Sequence, residues 1–414
     1  MRRLLLDISP LRSSPAYRRL WIGSLLSAIG SALTTFALPL QIWYLTHSSF
    51  QVGLLSAVQL VPAVTIGLLG GAWADARDRR RLMLGATLAL VATSAALALT
   101  AGSGSGLLWL IYLIAAVRSG LAGITGPARR TFIPALLPTD KLAAGLALDR
   151  LSFQLMLIAG PALAGVIVAV PALGLRGCYL IDAATFGGSL YGLGHLPMAP
   201  PAAAAASSRT ARAVRDGIAF IARHPRLSGA FLADLSATVF ALPISLFPAI
   251  NAERFGGDPH TLGLFTAAIG VGGLASTLLS GPIVRLRNQG SAMLVAVCVW
   301  GGAFAAFAVV PGLALTLLML GLAGAADTIT VVMRGSIVQM STPEAMRGRL
   351  TAVDYVVSLC GGQLGNLEAG AVGSLASPVL SAVAGGLATI AAAGIVGASI
   401  PGFARDPELT RTAA

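Results

Sequence analysis

The residues of this chain able to do chemistry are ionisable groups stranded in apolar surroundings: Arg118, Asp182, Asp234, Asp327 and Glu368. Each sits within or near the end of an aliphatic run long enough to cross a bilayer. There a charge costs about 2.5–3.5 kcal/mol unless it is paired or faces water. A carboxylate shielded from water binds a proton more readily, and a guanidinium beside it opposes that. An arginine–carboxylate pair that breaks and remakes can thus couple proton movement to a change of shape. Arg118 and Glu368 are deep and are expected to carry substrate binding or coupling, with Glu368 as the proton-responsive group. Asp327 and Asp234, toward the inner ends of their runs, are the next candidates. Asp182 is expected to make a structural hydrogen bond.

Other chemistries lack the residues they need. No Gly-x-x-x-x-Gly-Lys-Ser/Thr loop occurs, so ATP is not the direct energy source. His47, His195, His224 and His260 fall at run ends or in loops. Cys178, Cys298 and Cys360 are an odd number, each in an apolar run, which implies neither a disulfide framework nor a metal site. No enzymatic centre, metal or cofactor is expected.

What must position the charged groups is a set of membrane helices. The 414 residues are 56% hydrophobic and 11% charged, whereas a soluble domain is about 25% charged. The net charge of +12 would suit a nucleic-acid partner. The basic residues instead gather in short loops on one side, as membrane topology requires, and no nucleic acid is expected. Twelve apolar runs of spanning length are expected at 20–44, 51–73, 82–101, 107–126, 145–170 and 174–196. The second six lie at 227–250, 261–283, 292–310, 312–333, 349–375 and 378–400. With both termini inside, every Lys and Arg falls in a cytoplasmic loop or toward the inner end of a span except Arg118, deep within a span, and Arg176 and Arg254, on the outer side. An odd number of spans would scramble that asymmetry. The fold expected is an all-α membrane protein of twelve transmembrane helices in two pseudo-symmetric six-helix halves, 20–196 and 227–400. A cytoplasmic amphipathic segment, 1–19, precedes them and a cytoplasmic tail, 401–414, follows. Between the halves lies a cytoplasmic linker, 197–226, Pro/Ala-rich at first and then amphipathic, with Val214, Ile218 and Ile221 against Arg212, Arg215 and Arg223.

The halves repeat. Arg129, Pro138 and Asp149 recur at the same spacings as Arg334, Pro343 and Asp354, and the same register carries Gly160 onto Gly365 and Gly165 onto Gly370. In the first hairpin a slightly longer register pairs Gly53 with Gly263 and Gly71 with Gly281, while Asp75 falls on Arg285. Two parallel repeats place a transport path between them near mid-membrane.

Gly71-Ala-Trp-Ala-Asp75-Ala-Arg77-Asp-Arg79-Arg80-Arg81 closes one apolar run and opens the next, so it is expected to be a tight cytoplasmic hairpin. The pattern resembles the loop between helices two and three of the major facilitator superfamily. The resemblance implies a conformational switch built from Gly71, Asp75, Arg79 and Arg129, with Asp75 latching onto Arg129 or the inner end of span eleven. Gly160-Pro161 with Gly165 in span five resembles the Gly-Pro bend of antiporters in that superfamily. Leu45-Thr-His-Ser-Ser-Phe-Gln-Val-Gly53 and Thr342-Pro-Glu-Ala-Met-Arg-Gly-Arg349 resemble the enterobactin exporters of bacterial inner membranes, as do Pro15-Ala-Tyr-Arg18 and His224-Pro-Arg-Leu227. Arg118 departs from them, since their fourth span carries an acidic residue there, and resembles the fourth-span arginine of drug–proton antiporters.

These resemblances imply a proton-coupled secondary transporter that exports a siderophore or similar small natural product. Multidrug or macrolide efflux is the alternative, and a lipid flippase or nutrient importer of the same fold is a further one. The partners implied are a small-molecule substrate, protons and the lipid bilayer. A monomer in the bacterial inner membrane, multi-pass with both termini cytoplasmic, is expected.

Overall fold

The computed structural model describes residues 7–76, 78–102, 104–196, 208–279, 281, 288–400 and 402–403. Within them the side chains of 68–76, 79, 105, 127–128, 130–131 and 208–212 are outside the described residues. No strand occurs among the described residues. A short helix α1 (Ser9–Ser13) leads into α2 (Pro15–Thr46), α3 (Ser49–Ala76), α4 (Arg79–Thr100), α5 (Leu108–Leu136), α6 (Thr139–Ala169) and α7 (Gly174–Gly194). The second set is α8 (Ser208–Arg223), α9 (Pro225–Phe240), α10 (Phe247–Phe255), α11 (Pro259–Leu278), α12 (Gln289–Val309), α13 (Leu313–Ser341), α14 (Glu344–Leu375) and α15 (Pro378–Ser399).

Ten stretches are long and apolar enough to cross a membrane, with α9 and α10 counting as one interrupted span. The two apolar runs outside that set still form long helices, α7 and α14. Helix α7 is diluted by glycines, Arg176 and Asp182; α14 carries Glu344, Arg347, Arg349, Asp354 and Glu368. Every expected run therefore has its helix. Several helices outrun the apolar stretch that marked them: α5 continues to Leu136, α13 to Ser341, and α14 begins at Glu344. Hydropathy marks the part of a helix that lipid must cover, while backbone hydrogen bonding continues into water or protein. Arg129 and Arg334, expected in loops, are consequently helical.

Two compact units are formed. One comprises residues 1–45 and 58–207, the other 46–57 and 208–414. The second unit thus takes the start of α3 and all of α8. Leucines on the helix exteriors are strongly exposed, among them Leu99 at 76%, Leu278 at 77% and Leu375 at 88%. Such a surface calls for apolar surroundings, as a membrane provides.

Inside the first unit, α2 and α7 approach so closely that a Cβ on Gly30 would collide with Thr185 and Asp182. In the second, Gly301 and Gly386 bring α12 and α15 together in the same way. Small residues give such contacts because, in lipid, helix association depends on close packing. Part of the second unit is filled by rings: Phe265 and Phe304 both stand edge-on to Phe307, at 5.9 and 6.2 Å. The Trp300 indole N–H there donates to the Ala241 carbonyl at 2.7 Å.

Candidate functional site

In the first unit the buried charges meet. Arg118, on α5, reaches Asp182, on α7, with Nη2 to Oδ2 at 2.7 Å. The carboxylate is fully buried and the arginine is 9% exposed. That Asp182 oxygen also accepts from the hydroxyls of Thr34, at 2.6 Å, and Ser94, at 2.8 Å. Arg118 Nη1 in turn donates to Ser94 Oγ at 2.5 Å and Thr93 Oγ1 at 3.3 Å. Helices α2, α4, α5 and α7 are thereby tied through one carboxylate. A buried ion pair offsets its desolvation only when its remaining lone pairs and protons are satisfied, and here the hydroxyls do that. The partner of Arg118 is the aspartate expected to have a structural role.

A second cluster lies in the other unit. Arg334, on α13 and nearly buried, donates through Nη1 to Asp234 Oδ2, on α9, in a very short contact. Its Nη2 donates to Ser358 Oγ at 2.8 Å, and its Nε stands 3.1 Å from Asp354 Oδ1, both on α14. The last contact is electrostatic, since Nε has no aligned hydrogen-bond acceptor. The Phe231 ring lies 5.9 Å from the guanidinium carbon, within cation–π range. Asp327, two turns before Arg334 on the same face of α13, is within electrostatic reach of both Arg334 and Asp234. Asp234 and Asp327, expected as separate candidates, therefore belong to one cluster. Its centre, Arg334, was expected in a cytoplasmic loop. The signal that could have found it was the repeat: in the first unit the matching residues, Arg129 and Asp149, make the same ion pair at 3.0 Å.

The other expected residues are dispersed. Glu368, on α14, is half-buried and forms no ion pair among the described residues. Gly71 and Asp75 lie in the last turns of α3 and Arg79 begins α4, with their side chains outside the described residues. The expected latch from Asp75 to Arg129 falls there too, and Arg129 is held by Asp149. Asp78, not singled out in the sequence, caps α4 by accepting from the backbone N–H of Arg80 at 2.9 Å and Arg81 at 3.2 Å. Arg80 spans to the end of α7, donating to the carbonyl oxygens of Leu193, at 3.1 Å, and Gly194. Helix α6 runs unbroken through Gly160, Pro161 and Gly165, with Gly160 packed on Ala32 of α2. No group of His, Cys, Asp and Glu able to hold a metal occurs among the described residues.

The transmembrane secretion effector family matches residues 7–407. The enterobactin exporter EntS of Citrobacter koseri is 28% identical over 387 residues, covering 93% of this chain and 92% of that protein. Its counterpart in Shigella boydii is also 28% identical, over 383 residues. Among solved structures, the nucleoside transporter NupG aligns with a TM-score of 0.73 at 15% identity, over 94% of this chain and 98% of that one. A bacterial homologue of the iron transporter ferroportin, in an inward-facing state, aligns at 0.67 and 18%, over 94% and 99%. At those identities the structural likeness speaks for the fold alone. The chain belongs to the transmembrane secretion effector family of the major facilitator superfamily, and is a multi-pass bacterial membrane transporter.

Proposed function

We propose that this protein is a proton-coupled exporter of a catecholate siderophore of the enterobactin kind, or a similar small natural product, in the bacterial inner membrane. The substrate class rests on the named relatives. The proton rests on one observation, the composition of the Arg334 cluster. In the first unit, among the described residues, Arg129 pairs with Asp149. In the second, the matching pair Arg334–Asp354 is joined by Asp234, directly bound, and by Asp327 nearby. At the positions of these two the first unit has Ser24 and Ala122 in the repeat registers. A single guanidinium balances a single carboxylate, so gathering further carboxylates around it favours proton binding by one of them. The cluster is therefore built to take up and release a proton. Asp354, whose side chain is 38% exposed, gives it a route to water.

Arg118 is held by Asp182 and serves mainly to fix the first unit, while Glu368 stays a candidate for contact with substrate. The loop of Gly71, Asp75 and Arg79 is read as a conformational switch, and Gly160, Pro161 and Gly165 as the packed, pliant part of α6. Both termini are placed in the cytoplasm, and the transporter is taken to work as a monomer.

Inside-out vesicles test this directly. Vesicles with the protein should accumulate a catecholate siderophore when the lumen is acidified, and Asp234→Asn and Asp327→Asn should uncouple accumulation from the gradient. Accumulation that still follows the gradient in both variants would remove the cluster from coupling. Accumulation of a macrolide in place of the siderophore would move the substrate assignment to drug efflux, which the fourth-span Arg118 favours.

A further inference from the structure

Helix α8 is amphipathic, and the structure accounts for only one of its faces. The inner face is Gly217, buried where a Cβ would press on Val353 and the Arg349 carbonyl, and Ile221, 9% exposed. Asp216 pairs with Arg349 on α14 at 3.1 Å, and the Ile221 carbonyl accepts from Ser228 Oγ on α9 at 2.7 Å. The helix is thus fixed against α9 and α14 of its own unit. The outer face is a single stripe at helical spacing: Arg215, Ile218, Ala219, Ala222 and Arg223 are all exposed, Ile218 at 53%. Residues at i, i+3, i+4, i+7 and i+8 share one side of a helix, so the stripe is continuous.

We propose that this stripe is a docking surface for anionic lipid headgroups of the membrane's inner leaflet, resting on the cytoplasmic placement of the linker given above. Three features of the stripe select this occupant. Its charges are of one sign, because Asp216, the acidic residue of α8, is consumed by Arg349 on the opposite side. The two arginines flank small and aliphatic residues, the arrangement of a helix lying at the lipid–water boundary: guanidinium groups at phosphate level, Ile218 just below it. The helix also leads directly into α9, a membrane span beginning at Pro225, so the stripe lies within a turn or two of where the chain enters the bilayer. A soluble acidic protein could meet the arginines, but it would have no use for an exposed isoleucine between them. Cations near an anionic surface are drawn to it, and salt screens that attraction.

The test uses the full-length protein in nanodiscs, which expose both faces and make the result independent of orientation. Ala219→Cys carries an environment-sensitive fluorophore, with protein lacking that substitution as the labelling control. In discs of phosphatidylcholine containing phosphatidylglycerol the emission should shift to the blue relative to phosphatidylcholine alone. High salt should reverse the shift, and the R215Q/R223Q variant should lose it. A shift equal in both lipids, or one that survives R215Q/R223Q, would overturn the proposal. So would an equal shift produced by soluble glycerophosphate in detergent, which would mark a phosphate site without a lipid surface. A shift found in native membranes yet absent from discs of both lipids would point to a protein partner and overturn it likewise.

Discussion

Arg118 and Asp182 meet at 2.7 Å in the interior of the first half, whereas the repeat register puts Ala323 at the place of Arg118 in the second. Ser94, which bridges the pair, falls on Phe304, and Phe304 is buried among the rings of Trp300 and Phe307. One half ties its helices together with a charge and hydroxyls, the other with aromatic faces. At the arginines that recur in both halves the difference is reversed: among the described residues Arg129 pairs with Asp149 alone, while Arg334–Asp354 is joined by Asp234 and has Asp327 nearby. What both halves keep, an arginine late in one helix bound to an aspartate early in the next, is framework. What only one half has is where a specialised task can be placed. The polar interior of the first half, whose charges are closed off by hydroxyls, is read as a brace, and the surplus carboxylates of the second, which one arginine does not balance, as the proposed coupling machinery.

The largest effect expected is from opening the brace. Asp182→Ala leaves Arg118 buried and unpaired, a loss of about 3–5 kcal/mol, seen as a collapse in thermal unfolding temperature of the purified protein. The double variant R118L/D182L should recover most of that loss, because an apolar pair of similar volume needs no compensation. If D182A unfolds like the unaltered protein, the brace reading is wrong. In the second half Asp234→Asn should cost less, since Arg334 keeps Asp354 and Ser358. Its effect should fall on the response of transport to a pH gradient. Asp149→Asn, the match of Asp354 in the first half, should leave that response intact and lower stability by about 0.5–1 kcal/mol, as a part-exposed pair does. Equal uncoupling by D149N and D234N would erase the distinction between framework and machinery.

The smallest effect concerns a matched pair of helix caps. Ser48 accepts from the Gln51 backbone N–H at 3.4 Å; at the matching place Asp258 accepts from the N–H groups of His260 and Thr261, both at 3.2 Å. Burial raises the Asp258 carboxyl, but the Thr261 hydroxyl and these two backbone donors outweigh it and hold the group below its ordinary 3.8. The cap's contribution, about 1 kcal/mol, is therefore complete above that ordinary value and is lost as pH falls through the lower folded one. Asp258→Ser should remove this acid sensitivity and make the two caps alike in a pH series of unfolding temperatures.

Much of this was legible in the sequence. Aliphatic runs and turn residues located the helices, because lipid tolerates no other backbone, and identical spacings revealed the repeat. Arg334 was not legible as a buried group. It lies past the end of an apolar run, in a stretch covered by protein where hydropathy has nothing to report. The partnership of Arg118 with Asp182 was hidden for another reason: Asp182 stood out as a charge in an apolar run, but Thr34, Ser94 and Asp182 come from three helices far apart in the chain, and nothing in the spacing of these residues says that they meet Arg118. Asp78 was passed over for Asp75 because the helix start that makes it a cap is set by one turn of backbone.

Arg80 carries a consequence for how the protein is made. Its guanidinium closes the end of α7 on the carbonyl oxygens of Leu193 and Gly194. Synthesis runs from the amino terminus, so those oxygens do not exist when the hairpin of α3 and α4 is first threaded into the bilayer. During that interval the arginine is a bare charge, and by the positive-inside rule such a charge would hold the loop on the side of the ribosome, where the proposed topology puts it. Only after more than a hundred further residues have followed does it acquire a partner. The same side chain thus serves the translocation machinery first and the finished transporter later, and a neutral substitute such as Arg80→Gln would be felt at both times: in a fraction of molecules inserted wrongly, and in a loosened sixth span among those inserted well.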